Sequence, residues 1–308
     1  MRLNGLIAAP FTAMKKDYSI NLDEISKYAQ LLIENNVSGV FICGTSGESM
    51  SLTTSERKQI AEEWVKYAAP DFKIIVHIGS TCIESSKSLM VHAEKIGASA
   101  VGMIGPCFFK PSNIDVLVDY CQTVAAASPK LSFYYYHMPS MNGINFSMRT
   151  FLEKSADKIP NLTGIKYTYE DLMDFHLCQK FDNGRFDMLF GRDELLLCGL
   201  ALGAKGAVGS TYNFMAPLYN DIIEKFNAGD IKAARALQGK SMEIIRLIVS
   251  SGNSFMSNCK HIMRRFGLEL GTVRKPLVCT TSQQADELNK KLDELGFAEV
   301  CNCNNITV

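Results

Sequence analysis

A (β/α)8 barrel followed by a C-terminal helical extension is the fold class predicted by this 308-residue sequence. Three observations predict it. Short apolar runs rich in β-branched and aromatic residues recur eight times over residues 1–228, with helical patterns between them. Such runs suit strands buried on both faces of a parallel sheet, and eight βα repeats close naturally into a barrel. The first run, Leu6-Ile7-Ala8-Ala9-Pro10-Phe11, leads into no glycine-rich dinucleotide loop, which counts against an open doubly wound sheet. From Asp230 onward the strand-like runs stop and only helical patterns remain.

In chain order, the strands are expected at Leu6 to Ala9, Gly39 to Cys43, Lys73 to Ile78 and Ala100 to Ile104, then at Leu131 to Tyr136, Leu162 to Lys166, Asp187 to Phe190 and Gly206 to Gly209. The first helix should open on Asn21 as N-cap with Glu24 three residues on, placing Ile25, Tyr28, Ala29 and Leu32 on one face. Thr53 and Glu56 repeat that signal ahead of Ile60, Trp64 and Ala68. Further helices are expected after Pro111, Ser147, Tyr169, Asp193 and Asn213. Residues 229–308 form the extension, with helices over Ile231 to Val249, Asn258 to Phe266 and Ser282 to Leu295. No Pro/Ser/Gly linker precedes it, so it is expected to pack on the barrel.

Composition narrows the function classes. With 47% hydrophobic residues the chain is neither disordered nor low-complexity. Thirty-two Lys plus Arg balance thirty-two Asp plus Glu, which argues against nucleic acid or an anionic membrane surface as the main partner. There is no apolar run of about eighteen residues to span a bilayer. The stretch from Met1 to Phe11 stops at Pro10, too short for a secretory apolar region with a cleavage site. The ten cysteines contain no CxxC and mostly sit singly in apolar stretches, which suits reduced thiols in the cytoplasm; Cys301 and Cys303 read as an exposed pair at most. The five histidines form neither HExxH nor a zinc-spaced cluster, so no protein metal site is expected.

Active sites of (β/α)8 barrels lie at the C-terminal ends of the strands, so the residues just past each run carry the functional information. After the second comes Gly44-Thr45-Ser46-Gly47-Glu48, either a compact anion cradle of hydroxyls and N–H groups or an ordinary turn. The fifth ends in Tyr134-Tyr135-Tyr136, with Tyr134 and Tyr136 on one face; a barrel-wall tyrosine is more often packing than a catalytic phenol. The sixth ends in Lys166. A lysine there is either desolvated, with a lowered pKa suited to Schiff-base chemistry, or it snorkels out of the barrel mouth. Gly191-Arg192-Asp193-Glu194 ends the seventh and Gly209-Ser210-Thr211-Tyr212-Asn213 the eighth. Together these tips make a ring of hydroxyls, two carboxylates and one lysine, a pattern fit for carbonyl chemistry on a polyhydroxylated substrate.

On Gly5 to Phe11, Gly44 to Glu48, Tyr136 to Gly143, Gly164 to Thr168 and Gly191 through Asn213, the chain resembles the pyruvate-dependent class I aldolases that comprise the dihydrodipicolinate synthases and the N-acetylneuraminate lyases. The resemblance implies a (β/α)8 barrel with a three-helix extension, usually a homotetramer, working without organic cofactor or metal. It implies Lys166 as the Schiff-base lysine, Tyr136 as the proton-relaying phenol, and Thr45 and Ser46 as the cradle for the pyruvate carboxylate. Two departures count against the synthase branch. Met141 stands where those enzymes place a carboxylate-binding arginine, and Phe108 where they place a tyrosine contributed by a neighbouring subunit. Thr168, Gly191, Asp193, Glu194 and Ser210 match the pattern with which the lyase branch grips a sugar-acid hydroxyl chain. The implied reaction is reversible cleavage of N-acetylneuraminate to N-acetylmannosamine and pyruvate. The alternatives are another pyruvate aldolase, acting on a keto-deoxy sugar acid or in the manner of dihydrodipicolinate synthase, and a non-catalytic sugar-acid sensor.

Overall fold

The computed structural model describes residues 2–302. Eight strands, β1 (Gly5–Ala8), β2 (Gly39–Ile42), β3 (Lys73–His77), β4 (Ala100–Ile104), β5 (Phe133–His137), β6 (Leu162–Tyr167), β7 (Asp187–Phe190) and β8 (Gly206–Gly209), form a closed barrel in sequence order. Every pairing is parallel, and β8 returns to β1 with Leu6 beside Ala207 and Ile7 beside Val208. The ring outside the barrel runs α1 (Glu24–Glu34), α2 (Thr54–Trp64), α3 (Ile83–Lys95), α4 (Ile114–Ala125), the single turn α5 (Pro139–Asn142), α6 (Met148–Ser155), α7 (Leu172–Lys180), α8 (Leu196–Ala201) and α9 (Tyr212–Asn227). Beyond it lie α10 (Ile231–Ser250), α11 (Phe255–Met263) and α12 (Ser282–Glu294). The fold class is the one expected from the sequence.

The period-two alternation of side chains divides the core in two. Leu3, Ile7, Phe41, Ile75, Tyr134, Tyr136, Leu189 and Val208 pack inside the barrel, while Tyr135 faces outward into the larger layer between strands and helices. At the barrel floor Tyr134 Oη donates to Asp187 Oδ2 at 2.8 Å, and the Leu3 N–H donates to the same oxygen at 3.0 Å. These bonds tie β5, β7 and the segment before β1 together at the floor.

Several boundaries differ from the sequence reading. Leu131 and Ser132 precede β5, and the strand runs on to His137, which pairs with Tyr167. The Thr53–Glu56 capping box is present as expected, but the helix it opens stops at Trp64 and leaves Ala68 exposed. Asn21 caps nothing: its N–H donates to Ala13 O at 2.8 Å, and Asp23 takes the N-cap position of α1. The loop before α1 is held by that tertiary bond in place of a local cap. Helix α11 begins at Phe255, three residues before Asn258. Cys301 is half-buried, not exposed, and Cys303 lies outside the described residues.

The C-terminal segment repairs a defect in the barrel. Pro217 lies inside α9 and has no N–H to offer the carbonyl of Asn213, four residues earlier. Asn302 supplies the missing donor, with Nδ2 bonded to Asn213 O at 3.0 Å, while its Oδ1 accepts from the Ala216 N–H at 2.9 Å. Helix α10 lies along α9, and its Gln238 donates from Nε2 to Asp193 O at 3.2 Å, directly behind the barrel mouth.

Candidate active site

All nine residues singled out from the sequence line one cavity of about 280 Å³ at the C-terminal end of the barrel: Thr45, Ser46, Tyr136, Lys166, Thr168, Gly191, Asp193, Glu194 and Ser210. Each comes from the tip of a strand or the loop just after it.

Lys166 sits near the C-terminal end of β6 and is 4% exposed, so it does not snorkel. Its Nζ lies 3.9 Å from the centroid of the Phe41 ring and 4.1 Å from that of Tyr136. Burial disfavours the ammonium and pulls the pKa down to about 7, against the opposing pull of Asp193. A pKa brought down towards neutrality makes free amine accessible at neutral pH, which is what a nucleophile requires. The two ring faces hold the protonated form, with no carboxylate of the described residues in salt-bridge contact.

Tyr136 is held beside it. Its hydroxyl donates to Met138 Sδ at 2.9 Å and lies 3.4 Å from Thr45 Oγ1, which itself reaches Met138 Sδ at 3.7 Å. Burial raises the phenol pKa, so Tyr136 enters as a proton-bearing hydroxyl. The Ser46 and Ser210 hydroxyls meet at 2.6 Å across the mouth. They join the loop after β2 to the tip of β8.

Asp193 is buried, with one carboxylate oxygen held by Thr211. That oxygen, Oδ2, accepts from the Thr211 N–H at 2.8 Å and from Thr211 Oγ1 at 2.7 Å. The Tyr219 hydroxyl backs that Thr211 oxygen at 2.7 Å. Burial raises the Asp193 pKa to about 6, with the Thr211 hydrogen bonds opposing it. Glu194 stands farther out, half-buried, accepting from Arg192 Nη1 at 3.2 Å, while Arg192 also pairs with Glu170. Two glycines are dictated by close approach. A Cβ on Gly191 would lie 2.0 Å from Thr168 Oγ1, and one on Gly209 would lie 2.1 Å from Asp193 Oδ1. The buried Thr168 hydroxyl stands at the cavity wall beside the Tyr136 phenol and opposes the effect of burial on it.

The cavity also contains residues that the sequence reading missed. Met138, Arg192 and Thr211 come from the same strand tips, and Ile245, Val249, Phe255 and Met256 come from α10 and α11. The extension thus supplies an apolar wall to the site. A signal existed: the buried stripe of α10 includes Ile244 and Ile248, and Ile245 with Val249 repeats the spacing one residue over, leaving an apolar Val249 61% exposed. Met141 and Phe108, where the synthases place polar groups, are 56% and 75% exposed and do not line the cavity of this chain.

The sequence and the fold are similar to those of known proteins. The model of the dihydrodipicolinate synthetase family matches residues 2–295. The chain is 39% identical to N-acetylneuraminate lyase of Mus musculus over 300 residues, covering 96% of this chain and 93% of that protein. Among solved structures, N-acetylneuraminate lyase of Proteus mirabilis superposes with a TM-score of 0.93 at 40% identity, over 96% of this chain and all of that one. N-acetylneuraminate lyase of Aliivibrio salmonicida superposes with a TM-score of 0.92 at 41% identity, over 96% and 98% of the two chains.

Proposed function

The chain belongs to the dihydrodipicolinate synthetase family, and from that premise we propose that it is an N-acetylneuraminate lyase, a class I aldolase that reversibly cleaves N-acetylneuraminate to N-acetylmannosamine and pyruvate. The observation that carries this reading is the Lys166 amine, buried beside Tyr136 with its pKa lowered to about 7, at the base of a cavity whose rim is hydroxyls and carboxylates. The full-length relatives at about 40% identity name the sugar acid.

In this mechanism the Lys166 Nζ attacks the C2 ketone of the open-chain sugar acid. Loss of water gives a protonated imine. Removal of the C4 hydroxyl proton breaks the C3–C4 bond, forming the aldehyde of N-acetylmannosamine. The electron pair of the broken bond moves into a C2–C3 enamine, with the imine nitrogen as its sink. Protonation at C3 and hydrolysis release pyruvate and free the lysine. Because the imine accepts the electrons, no organic cofactor or metal takes part.

Tyr136 relays the protons; a positioned acid–base group of this kind contributes about 10²–10⁴-fold. Thr45, Ser46 and nearby N–H groups hold the carboxylate. Thr168, Gly191, Asp193, Glu194 and Ser210 hold the hydroxylated tail. The apolar wall from α10 and α11 limits water near the imine.

The reading includes a homotetramer. Two separate apolar patches support it: Phe108 and Phe109, 75% and 85% exposed in the loop after β4, and a face of α7 and α8 carrying Met173, Leu177, Cys198 and Leu202. A tetramer of dihedral symmetry needs two different self-complementary surfaces. Residence in the cytoplasm is also part of the reading. Cys43, Cys82, Cys107, Cys121, Cys178, Cys198, Cys259 and Cys279 are free thiols, as a reducing compartment would keep them. No helix among the described residues is long and apolar enough to cross a membrane.

Borohydride trapping with N-acetylneuraminate as the only carbonyl compound, followed by peptide mapping, tests the function. A reduced pyruvate adduct on Lys166 is expected. Labelling by pyruvate but not by N-acetylneuraminate would keep the aldolase chemistry and remove the sugar acid, and no adduct with either would leave a binding protein.

A further inference from the structure

The loop that carries Thr45 and Ser46 ends in Glu48, whose backbone is left-handed (φ 58°, ψ 32°) and whose side chain is wholly buried. A glutamate has no intrinsic preference for that conformation, so its neighbours must hold it. Glu48 Oε1 accepts from Lys260 Nζ at 2.7 Å, and Oε2 accepts from the Arg274 N–H at 2.8 Å. Lys260 donates again to Thr272 O at 2.5 Å. The Arg274 guanidinium continues to Ser51 O at 2.7 Å and pairs with Glu56, so both ends of the 48–56 stretch are fastened. Lys260 lies on α11 and Arg274 in the segment after it, more than 200 positions along the chain, and neither lines the cavity.

Two features set this contact apart from ordinary cross-linking. It is made at the second residue after Ser46, so its geometry is transmitted through one glycine to the hydroxyl pair. It is also a neutralised pair: an unpaired Glu48 charge so close to Ser46 would oppose a bound carboxylate, and Lys260 cancels it.

We propose that Lys260 is a positioning residue for the site, holding Glu48 so that the Thr45–Ser46 loop keeps the shape and neutrality that a substrate carboxylate requires. The proposal rests on the reading of that loop as the carboxylate cradle. The C-terminal extension thereby sets affinity for the shared three-carbon end of the substrates, from outside the barrel.

The test is Glu48→Met/Lys260→Met in the full chain, which removes both charges and their hydrogen bonds while filling a similar volume. The expected result is a folded protein that melts somewhat below wild type, because the Arg274 N–H and the Thr272 carbonyl lose their partners. Its KM for N-acetylneuraminate and for pyruvate rises by about tenfold, while kcat stays within about threefold. Borohydride trapping of acetone on Lys166, which needs no carboxylate, should be unchanged. Lys260→Met alone strands the Glu48 charge and, where it folds, should raise both KM values beyond the double variant. Wild-type KM values in the double variant would overturn the proposal. So would a parallel fall in kcat and acetone trapping, which would mean that the pair only maintains the fold. A wild-type protein that traps acetone but shows no saturable trapping of pyruvate would overturn the cradle reading itself, a failure distinct from the other two.

Discussion

Ser46 Oγ and Ser210 Oγ lie 2.6 Å apart although 164 residues separate them in the chain. That hydrogen bond is where the loop proposed to hold the carboxylate meets the strand tip proposed to hold the sugar tail. Each hydroxyl has one proton, so the pair can donate one hydrogen bond outward while keeping its own. Ser210→Ala should therefore raise KM for N-acetylneuraminate about tenfold or less and leave kcat nearly unchanged, because the lost interaction serves ground state and transition state alike. Steady-state kinetics check this, and a fall in kcat with unchanged KM would place Ser210 in the chemical step.

Removing the nucleophile should separate folding from chemistry. Lys166→Ala is expected to fold, since it deletes a buried amine with no carboxylate in contact, and to lose the trapped adduct completely. Its turnover should fall by about a thousandfold or more; activity within about tenfold of wild type would exclude Lys166 as the covalent residue.

The lowered Lys166 pKa makes two pH predictions. Attack requires the neutral amine, so kcat/KM should fall as pH drops through about 7. The stability effect has a definite sign. The folded pKa lies below the value of a free lysine, about 10.4, so between the two the unfolded chain binds more protons. This group's contribution therefore becomes more favourable as pH rises from about 7 to 10, and below about 7 the native state bears the full cost of burying the ammonium. Lys166→Met should melt above wild type at pH 7 or below, with the difference shrinking towards pH 10. Thermal denaturation across that range provides the measurement, and a constant difference would contradict it.

Asp193 titrates in the opposite sense. Its folded pKa is raised to about 6, above the ordinary carboxylate value. Its contribution is most favourable below the unfolded pKa near 4 and declines as pH rises through about 6. Asp193→Asn should flatten the dependence of the melting temperature on pH between about 4 and 6. An unchanged slope would mean that another group carries it.

Gly191→Ala tests close packing at the rim. Its Cβ would fall 2.0 Å from Thr168 Oγ1 and 2.9 Å from Tyr167 O. The expected cost is about 1–3 kcal/mol of stability with a larger loss of activity. Adding Thr168→Ala should return part of the stability but not the activity, since it also removes a hydroxyl facing the cavity. Chemical denaturation of the single and double variants would detect that split.

The strands were legible because each is a short apolar run buried on both faces, and the strand tips followed from them. Lys166 stood out because a charge at the end of such a run needs a reason. Helix α3 was expected only as one beat of the alternation, with no start signal of its own: its segment, IESSKSLMVHAEK, is largely polar, and the buried face rests on Ser86, Leu89, Met90 and Ala93. The Asn21 signal failed for a related reason, since a tertiary bond to Ala13 decides that loop. The apolar wall from α10 and α11 could not be placed from strand–helix spacing, because its position depends on how the extension folds back. Glu48 was part of a quoted motif, but its partner is 212 residues away and nothing local announces it.

The division of the mouth into two halves bears on how such a site could be redesigned. The groups assigned to the three-carbon end lie on β2, β5 and β6, and those assigned to the departing aldehyde lie mostly on β7 and β8. The bond to be broken would span that seam. A library confined to residues 192 and 194, with the apolar wall of α10 and α11, would explore new aldehydes while leaving the amine, the two close-packed glycines and the Ser46–Ser210 bond intact. Modularity of that kind lets one covalent engine serve many acceptors.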